Sequence, residues 1–391
     1  MLSTLLRSTA AALCLILAFV PVGYSSDPSI PALALEQALR APAALLMDAN
    51  TGAVLLARNE HEARPVASLT KLMTMLLVFE AEAAGRVKWE DTVAVSAHAA
   101  GFGGSQIWLE TGETLTLEEL FLSVAIESAN DSAVALAEFV AGSEEGFVAL
   151  MNERARALGM ANTHFTSASG LDLGSPHSSA MDMALLSREI LRHQRVHEFV
   201  TIRTHELTRA RTRTTLTNTN RDLLAAYLGY DGLKTGWTRR AGHCLASTAK
   251  RGDLRLVAIV LGATSSTERR SDIVKLLDYG FANYEGRRVV KEGQVVGEVP
   301  IAKGTNQVAE AVAASDLYLL LAKGHRSPVE TRTELLRVAA PIVVGQTLGR
   351  LWVTAEGQEP VYVLLVAKTS VARASWWQNF RRMWESLLPV P

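Results

Sequence analysis

The sequence predicts an α+β protein in which an antiparallel sheet is flanked by helices, with a helical subdomain between its strands. Three patterns indicate this fold class. Strand-like pairs at residues 43–57 and 241–263 enclose a long region of helical periodicity, the pattern becomes β-rich after Gly286, and the chain ends in an aromatic amphipathic segment. With 391 residues, of which 48% are hydrophobic, the chain can bury a large core and form two domains.

Residues 1–26 have the pattern of an export signal. A basic residue precedes the apolar run "AALCLILAFV", which is too short to span a bilayer, and small residues follow in "VGYSSD". We expect cleavage after Ser25 or Ser26, and an uncleaved anchor is the alternative. Cleavage would remove Cys14 and leave no internal disulfide, with Cys244 as a buried apolar residue in a strand.

Residues 33–286 are predicted to form the main domain, with its sheet built from both ends of the segment. "AALLMDANTGAVLLA" indicates two strands around a polar, glycine-containing turn. "LTKLMTMLLVFEAEA" is apolar on more than one face, which is typical of a buried helix. Residues 116–142 predict two helices with a break near Ser128–Asn130. Residues 241–263 predict two strands joined by a turn, and residues 269–285 predict one amphipathic helix.

The remainder of the chain predicts a small β-rich domain over residues 287–371 and an amphipathic helix within 373–391. Short valine-rich segments that alternate with Gly and Pro indicate the strands. As a helix, the last segment would be about 24 Å long, too short to cross a hydrocarbon core. Its apolar residues recur at steps of three and four and suit the membrane headgroup layer: Trp376, Trp377, Phe380, Met383, Trp384, Leu387 and Leu388. Docking on the protein itself or on a partner is the alternative.

Three short motifs occur in a fixed order along the main domain. Ser68 and Lys71 form a Ser-x-x-Lys pair at a predicted helix start, and Ser128-Ala129-Asn130 follows about sixty residues later. Lys234-Thr235-Gly236 comes about one hundred residues after that. This order is typical of serine enzymes of the penicillin-binding and β-lactamase class. A second Ser-x-x-Lys, at 247–250, lies in a predicted strand where its side chains would face opposite ways, so it is interpreted as structural.

The segments "RPVASLTKLMT", "SANDSAVALAEFVAGS", "TSASGLD", "SSAMDMALL" and "DGLKTGWTRRAGHCLAS" together resemble the low-molecular-mass penicillin-binding proteins that are D-alanyl-D-alanine carboxypeptidases. The resemblance runs from about residue 33 to the end of the chain. It implies a penicillin-binding/β-lactamase type of fold and a terminal helix on the periplasmic face of the bacterial inner membrane. It also implies stem peptides of peptidoglycan ending in D-Ala-D-Ala as substrates and β-lactams as inhibitors, with no metal or organic cofactor.

The chemistry accounts for the residue types in the first motif. A serine hydroxyl needs a base, and a lysine with its ordinary pKa of about 10.4 is charged at pH 7. Burial and the nearby cation Lys234 would lower the pKa of Lys71, so we expect Lys71 to be the neutral base that activates Ser68.

The remaining roles follow from the resemblance. Ser128 would pass a proton toward the leaving amine, and Asn130 would hold the acyl amide and Lys71. Lys234 and Thr235, within the Lys-Thr-Gly motif that ends at Gly236, would bind the terminal carboxylate. The backbone N–H groups of Ser68 and Trp237 would form the oxyanion hole.

Simpler interpretations exist for several of these residues. Asn130 could cap a helix, and Trp237 stands where a smaller residue is expected, so that it could narrow the site or stack on substrate. Arg239 and Arg240 could add a carboxylate contact or be solvated charges, and His177 is expected to form loop hydrogen bonds.

Composition and missing motifs weigh against other functions. The formal net charge of −1 gives no global field to recruit nucleic acid. A weak β-lactamase is a rival, but no Glu-x-x-x-Asn run lies between Asn130 and Lys234 to supply a deacylating glutamate. A D,D-endopeptidase remains open because it too cuts after a D-alanine carbonyl, and the other alternative is a non-catalytic scaffold at the membrane surface.

Overall fold

The computed structural model describes residues 32–387, apart from 172–173, 210–211, 325–327 and 356–358. The predicted export signal and Leu388 lie outside the described residues. The predicted α+β architecture, with its β-rich second domain and terminal helix, is confirmed.

The first domain contains nine strands, counted within the described residues. They are β1 (Ala43–Asp48), β2 (Val54–Arg58), β3 (Thr92–Ala94), β4 (Thr114–Thr116), β5 (Thr204–Thr208), β6 (Arg213–Thr217), β7 (Tyr230–Thr238), β8 (Gly242–Arg251) and β9 (Leu254–Ala263). Five of them form an antiparallel sheet in the order β2-β1-β9-β8-β7. The chain's first hairpin therefore pairs, through β1, with a strand about two hundred residues later, and β7 lies at an edge of this sheet.

The first domain also contains ten helices, counted within the described residues. They are α1 (Ala32–Ala38), α2 (Lys71–Ala83), α3 (Ala97–Ala100), α4 (Leu117–Ile126), α5 (Asn130–Ala141), α6 (Glu144–Ala157), α7 (Ala180–Ile190), α8 (Val196–Val200), α9 (Arg221–Ala226) and α10 (Ser266–Asn283). The first turn of α2 is already buried, and residues of this helix belong to the core cluster that includes α4, α5 and α7 and one face of the sheet. Apolar residues of α1 and α10 pack on the other face of the sheet. The predicted break between two helices is the gap between Ile126 and Asn130.

The second domain is built almost entirely of strands. Its elements are β10 (Tyr284–Val290), β11 (Val295–Ala302), β12 (Val308–Ala313), β13 (Leu317–Ala322), β14 (Glu330–Leu335), β15 (Val338–Ala339), β16 (Thr347–Thr354) and β17 (Val361–Ala367). Six of these strands form a sheet in the order β14-β16-β17-β12-β11-β15, while β10 pairs with β13. Valine, leucine and alanine side chains between the two sheets form a separate core.

The side chain of Arg382 ties the terminal helix α11 (Trp376–Leu387) to the second domain. Arg382 donates to the backbone carbonyl oxygens of Gly304, at 2.7 Å, and Thr305, at 2.5 Å. The aromatic residues lie on the opposite side of the helix, and Trp376, Trp377 and Trp384 are all more than half exposed. Among the helices of the described chain, none combines the length and the apolarity that a membrane crossing needs.

Candidate active site

The first motif lies at the start of the buried central helix. Ser68 belongs to a single 3-10 turn, Ala67–Thr70, and α2 begins at Lys71, so the serine precedes the α-helix rather than lying in it. Ala67 has a φ of +50°, in the left-handed region that residues with a Cβ rarely adopt. Such backbone strain persists only where the surroundings hold it, and it is frequent at functional sites. Ser68 Oγ lies 2.9 Å from Lys71 Nζ.

Lys71 is fully buried, and two carbonyl oxygens surround its amine in addition to Ser68. Nζ lies 2.6 Å from Asn130 Oδ1 and 2.7 Å from the backbone carbonyl oxygen of Ser169. Both oxygens can only accept hydrogen bonds, whereas a serine hydroxyl can donate. A neutral amine has two N–H donors and one lone pair, which matches two acceptors and one donor. The three contacts therefore accommodate the unprotonated form of Lys71, and they equally accommodate a charged amine that donates to all three oxygens.

The electrostatic environment favours the unprotonated form of Lys71. Burial, and after it the positive charge of Lys234, holds the pKa of Lys71 well below its ordinary value, and the carboxylate of Asp131 opposes this shift. Burial has this direction because a charged amine loses its hydration in the protein interior. The expectation that burial and Lys234 lower the pKa of Lys71 is confirmed in direction.

Asn130 connects the base to a loop of the cleft. Its side-chain Nδ2 donates to the carbonyl oxygen of Gly103 at 2.7 Å, and its backbone N–H donates to the carbonyl oxygen of Ser105 at 2.7 Å. The interpretation of Asn130 as a helix cap is wrong: Ala129 occupies the cap position, and no side-chain cap hydrogen bond forms. The Asn130 amide is directed at Lys71 instead. Ser128, in the preceding turn at a φ of +67°, is almost buried and lines the cleft.

The third motif forms part of the edge strand β7. Lys234 is buried, and burial followed by the charge of Arg269 lowers its pKa to about 7. Thr235 Oγ1 donates to Thr219 Oγ1 at 2.7 Å. Gly236 passes so close to the Ser68 turn that an added Cβ would lie 2.7 Å from the carbonyl oxygen of Val66. This contact requires glycine and brings the strand against the serine.

These residues enclose one cleft of about 580 Å³. Its walls combine all three motifs, while Lys71 and Lys234 lie buried beneath the surface. Trp237 is 60% exposed on the rim, and its ring centroid lies 6.0 Å from that of His243. The lining residues are Ser68, Gly104, Ser105, Glu127, Ser128, Asn130, Gly170, Leu171, Thr219, Thr235, Gly236, Trp237, Thr238, Arg239 and Arg269.

Arg269 is the principal residue that the sequence interpretation missed. It lies on α10, is 8% exposed, and donates from Nη1 to the carbonyl oxygen of Cys244 at 3.4 Å. Its buried Nε–H has no partner within the described part of the chain. A buried, incompletely bonded guanidinium that lines a cleft is suited to hold a carboxylate. No motif marks it, because "TERRSD" looks like an ordinary charged helix start.

The remaining candidate residues of the sequence make structural contacts outside the cleft. Ser247 is buried in β8 with its Oγ 3.1 Å from the Tyr230 hydroxyl, whereas Lys250 is exposed, so the two do not form a catalytic pair. His177 Nδ1 contacts the carbonyl oxygen of Ser175 at 2.9 Å, as expected of a loop hydrogen bond. Cys244 is buried, as expected.

Both domains match known families. Residues 31–265 match the family described as D-alanyl-D-alanine carboxypeptidase, and residues 284–373 match penicillin-binding protein 5, C-terminal domain. The D-alanyl-D-alanine carboxypeptidase DacF of Bacillus subtilis is 39% identical over 87% of this chain and 88% of its own length. The D-alanyl-D-alanine carboxypeptidase DacC of Escherichia coli is 32% identical over 99% of this chain and 96% of its own length.

Solved structures show the same likeness. Penicillin-binding protein 5 from Haemophilus influenzae has a TM-score of 0.69 and 30% identity, over 86% of this chain and 98% of that protein. Penicillin-binding protein D2 from Listeria monocytogenes, in its ampicillin-bound form, has a TM-score of 0.56 and 35% identity, over 62% of this chain and 98% of that protein.

Proposed function

Because this chain belongs to the D-alanyl-D-alanine carboxypeptidase family of serine peptidases, we propose that Ser68 is the nucleophile with which it removes the terminal D-alanine. The chain is a serine-type D-Ala-D-Ala carboxypeptidase, a hydrolase of peptidoglycan stem peptides that end in D-Ala-D-Ala, and the family binds β-lactams. The roles of individual residues are our proposal. The observation that carries it is the contact between Ser68 Oγ and the buried amine of Lys71.

Acylation proceeds by attack of Ser68 Oγ on the carbonyl carbon of the penultimate D-alanine. Lys71 Nζ takes the hydroxyl proton, and its lowered pKa favours the unprotonated amine that this step needs. The negative charge that develops on the carbonyl oxygen is held by the backbone N–H groups of Ser68 and Trp237. Removing one donor of this kind typically costs about 3–4 kcal/mol of transition-state stabilisation.

The leaving group departs with the proton that Lys71 accepted. Ser128 passes this proton to the nitrogen of the terminal D-alanine, the C–N bond breaks, and an ester on Ser68 remains. Thr235, Lys234 and Arg269 hold the terminal carboxylate during this step. Water then attacks the ester, Lys71 takes its proton, and Ser68 Oγ recovers a proton as the shortened peptide leaves. A D,D-endopeptidase would use the same steps, but no observation favours it over the carboxypeptidase.

Intact-mass spectrometry after incubation with penicillin tests the nucleophile. We expect one adduct that maps to Ser68 and is absent from Ser68→Ala. Ser247→Ala is the matched control, because it removes the serine of the other Ser-x-x-Lys pair, and it should keep the adduct. A diacyl-D-alanyl-D-alanine peptide should lose its terminal residue with the wild type and not with Ser68→Ala. An adduct on Ser68→Ala would refute the assignment, and rapid consumption of penicillin without an adduct would favour a β-lactamase.

For the location, we propose that the chain is exported and is peripheral on the periplasmic face of the bacterial inner membrane, held there by the surface of α11. Two observations support this proposal: the signal-like pattern of residues 1–26, and the exposed aromatic face of α11 opposite Arg382. Exposed tryptophans on an amphipathic helix suit the headgroup layer. Deletion of residues 373–391 should abolish co-flotation with anionic phospholipid vesicles, and Trp377→Glu should weaken it. Unchanged flotation after the deletion would refute the proposal.

A further inference from the structure

A second concave site lies on the β-rich domain, away from the catalytic cleft. Its cavity of about 320 Å³ falls in the size range of small-ligand sites, about 300–1,000 Å³. The cavity opens on the outer face of the six-stranded sheet, at the edge formed by β14. The lining residues are Glu330, Thr331, Arg332, Trp352, Thr354 and Pro360.

The register of three strands places the aromatic and charged residues of this face in rows. Arg332 on β14 lies opposite Trp352 on β16, which lies opposite Tyr362 on β17. In the next row, Glu334 lies opposite Arg350. Residues two apart on a strand share a face, so both rows project to the same side of the sheet.

Trp352 is held in one orientation by its neighbours. Its Nε1–H donates to Glu334 Oε2 at 2.9 Å, and its ring centroid lies 4.7 Å from that of Tyr362. The guanidinium of Arg350 lies 4.9 Å from the Tyr362 ring centroid and covers a face of that ring. Trp352 is only partly buried and lines the cavity, so it presents a fixed, flat apolar wall. A ring fixed in this way loses little entropy when a ligand stacks on it.

Two charged side chains at the rim complement this wall. Glu330 and Arg332 are exposed two residues apart on the edge strand, and neither makes an ion pair within the described part of the chain. A carboxylate offers acceptors and a guanidinium offers a planar fork of donors. The pair is balanced in charge, as are Glu334 and Arg350 beside it, so the surface has no excess of either sign to attract a polyanion or an anionic lipid.

We propose that this surface binds an uncharged stretch of the glycan strand of peptidoglycan. A pyranose ring has one apolar face of C–H groups, which can stack on the electron-rich face of an indole, and an equatorial rim of hydroxyl and acetamido groups. Trp352 accepts the ring face, while Glu330 and Arg332 bond the rim. The site would hold the enzyme on the polymer that carries its substrate peptides, independently of the chemistry at Ser68.

The test uses the full chain with Ser68 first acylated by penicillin, so that the catalytic cleft is blocked. The probe is the β-1,4-linked tetramer of N-acetylglucosamine, titrated by calorimetry, with maltotetraose as the control sugar. We expect saturable binding of the N-acetylglucosamine tetramer, about fivefold weaker binding to Trp352→Ala, and partial retention by Trp352→Phe, because one stacked ring typically contributes about 1 kcal/mol.

Further variants keep the test decisive if Trp352→Ala does not fold. The double variant Glu330→Gln, Arg332→Gln should bind the tetramer about tenfold more weakly at an unchanged melting temperature, since both side chains are exposed. Glu298→Gln, an exposed glutamate on β11 of the same sheet, is the matched control and should bind normally. All variants, unacylated, should hydrolyse a soluble diacyl-D-Ala-D-Ala peptide at the wild-type rate, which separates this proposal from the carboxypeptidase mechanism.

Three results would overturn the proposal. The first is no binding of the tetramer by the wild type, which would leave the sheet face to a protein partner. The second is equal binding by the wild type and the double variant, and the third is equal binding of maltotetraose.

Discussion

Replacing Arg269 with methionine should weaken the enzyme through one contact, the one to the terminal carboxylate of the substrate. Arg269 lines the cleft and has a buried Nε–H without a partner in the described chain. Hydrogen bonds to charged groups contribute about 1.5–3 kcal/mol. Since each 1.4 kcal/mol corresponds to about tenfold, kcat/KM should fall about 10- to 150-fold for a diacyl-D-Ala-D-Ala peptide. The same peptide with an amidated C-terminus should be affected much less.

A second readout follows from the coupling of Arg269 to Lys234. The charge of Arg269 is the second cause, after burial, of the lowered pKa of Lys234, which is about 7. A lysine is positively charged below its pKa, so in the free enzyme its attraction for a carboxylate is present below about pH 7 and is lost above it. Removing Arg269 raises the pKa of Lys234, and the alkaline limb of the kcat/KM profile should move to higher pH.

The assay is the pH dependence of kcat/KM for the free-acid and amidated peptides. Arg270→Gln is the matched control, since Arg270 is the next residue on the same helix and pairs with Asp222 on the surface at 2.9 Å. Circular dichroism and a melting curve check that Arg269→Met is folded. An equal loss for both peptides, or an alkaline limb that does not move, would refute the assignment of Arg269 to the carboxylate.

Three other substitutions probe the rest of the site. Gly170→Ala should lower the melting temperature strongly and abolish the penicillin adduct, because a Cβ there would lie 2.6 Å from Thr70 Oγ1. Gly174→Ala is the control, because its Cβ would have its nearest neighbour at 3.6 Å. It should lower the free energy of unfolding by only about 1–2 kcal/mol, the cost of its positive φ. Asn130→Asp should place a carboxylate beside Lys71 and raise its pKa, so the acylation rate by stopped flow should fall at pH 7 and recover at higher pH; a fall of the same size at every pH would count against Lys71 as the base. Lys234→Arg should remove the alkaline limb near pH 7 from kcat/KM, and an unchanged limb would mean that another group titrates there.

The proposed glycan site and the membrane helix would act in placing the enzyme on its polymer and at the membrane, not in the chemistry at the catalytic serine. The helix α11 is bonded to the second domain through Arg382, and that domain also bears the Trp352 surface. If both proposals hold, the second domain contacts the membrane at one end and the polymer on its sheet face. Loss of either contact should then lower turnover of polymeric peptidoglycan without changing turnover of a short soluble peptide.

The sequence determined the parts of this protein that are encoded locally. Alternation and turn residues identified the strand pairs at 43–57 and 241–263 and predicted that both belong to one antiparallel sheet, while the structure showed that they join through β1 and β9. The order of the three motifs was sufficient to identify the class of chemistry. Ser68 and Lys71 are separated by a single turn, so the sequence alone also places the nucleophile close to its base. The role of Trp237, which follows the Lys-Thr-Gly motif, came from the family resemblance rather than from the motif order.

The tertiary structure decided what surrounds those residues. Arg269 and the Ser169 carbonyl reach the site from segments that carry no motif, and Asn130, which could have capped a helix, is directed at the base instead. The lowered pKa of Lys71 likewise depends on burial by distant segments and on the charge of Lys234. A short motif fixes which groups are present and how far apart they lie along one turn. Dehydration and the proximity of distant charges arise only when remote parts of the chain pack together, and these determine whether the lysine can act as a base.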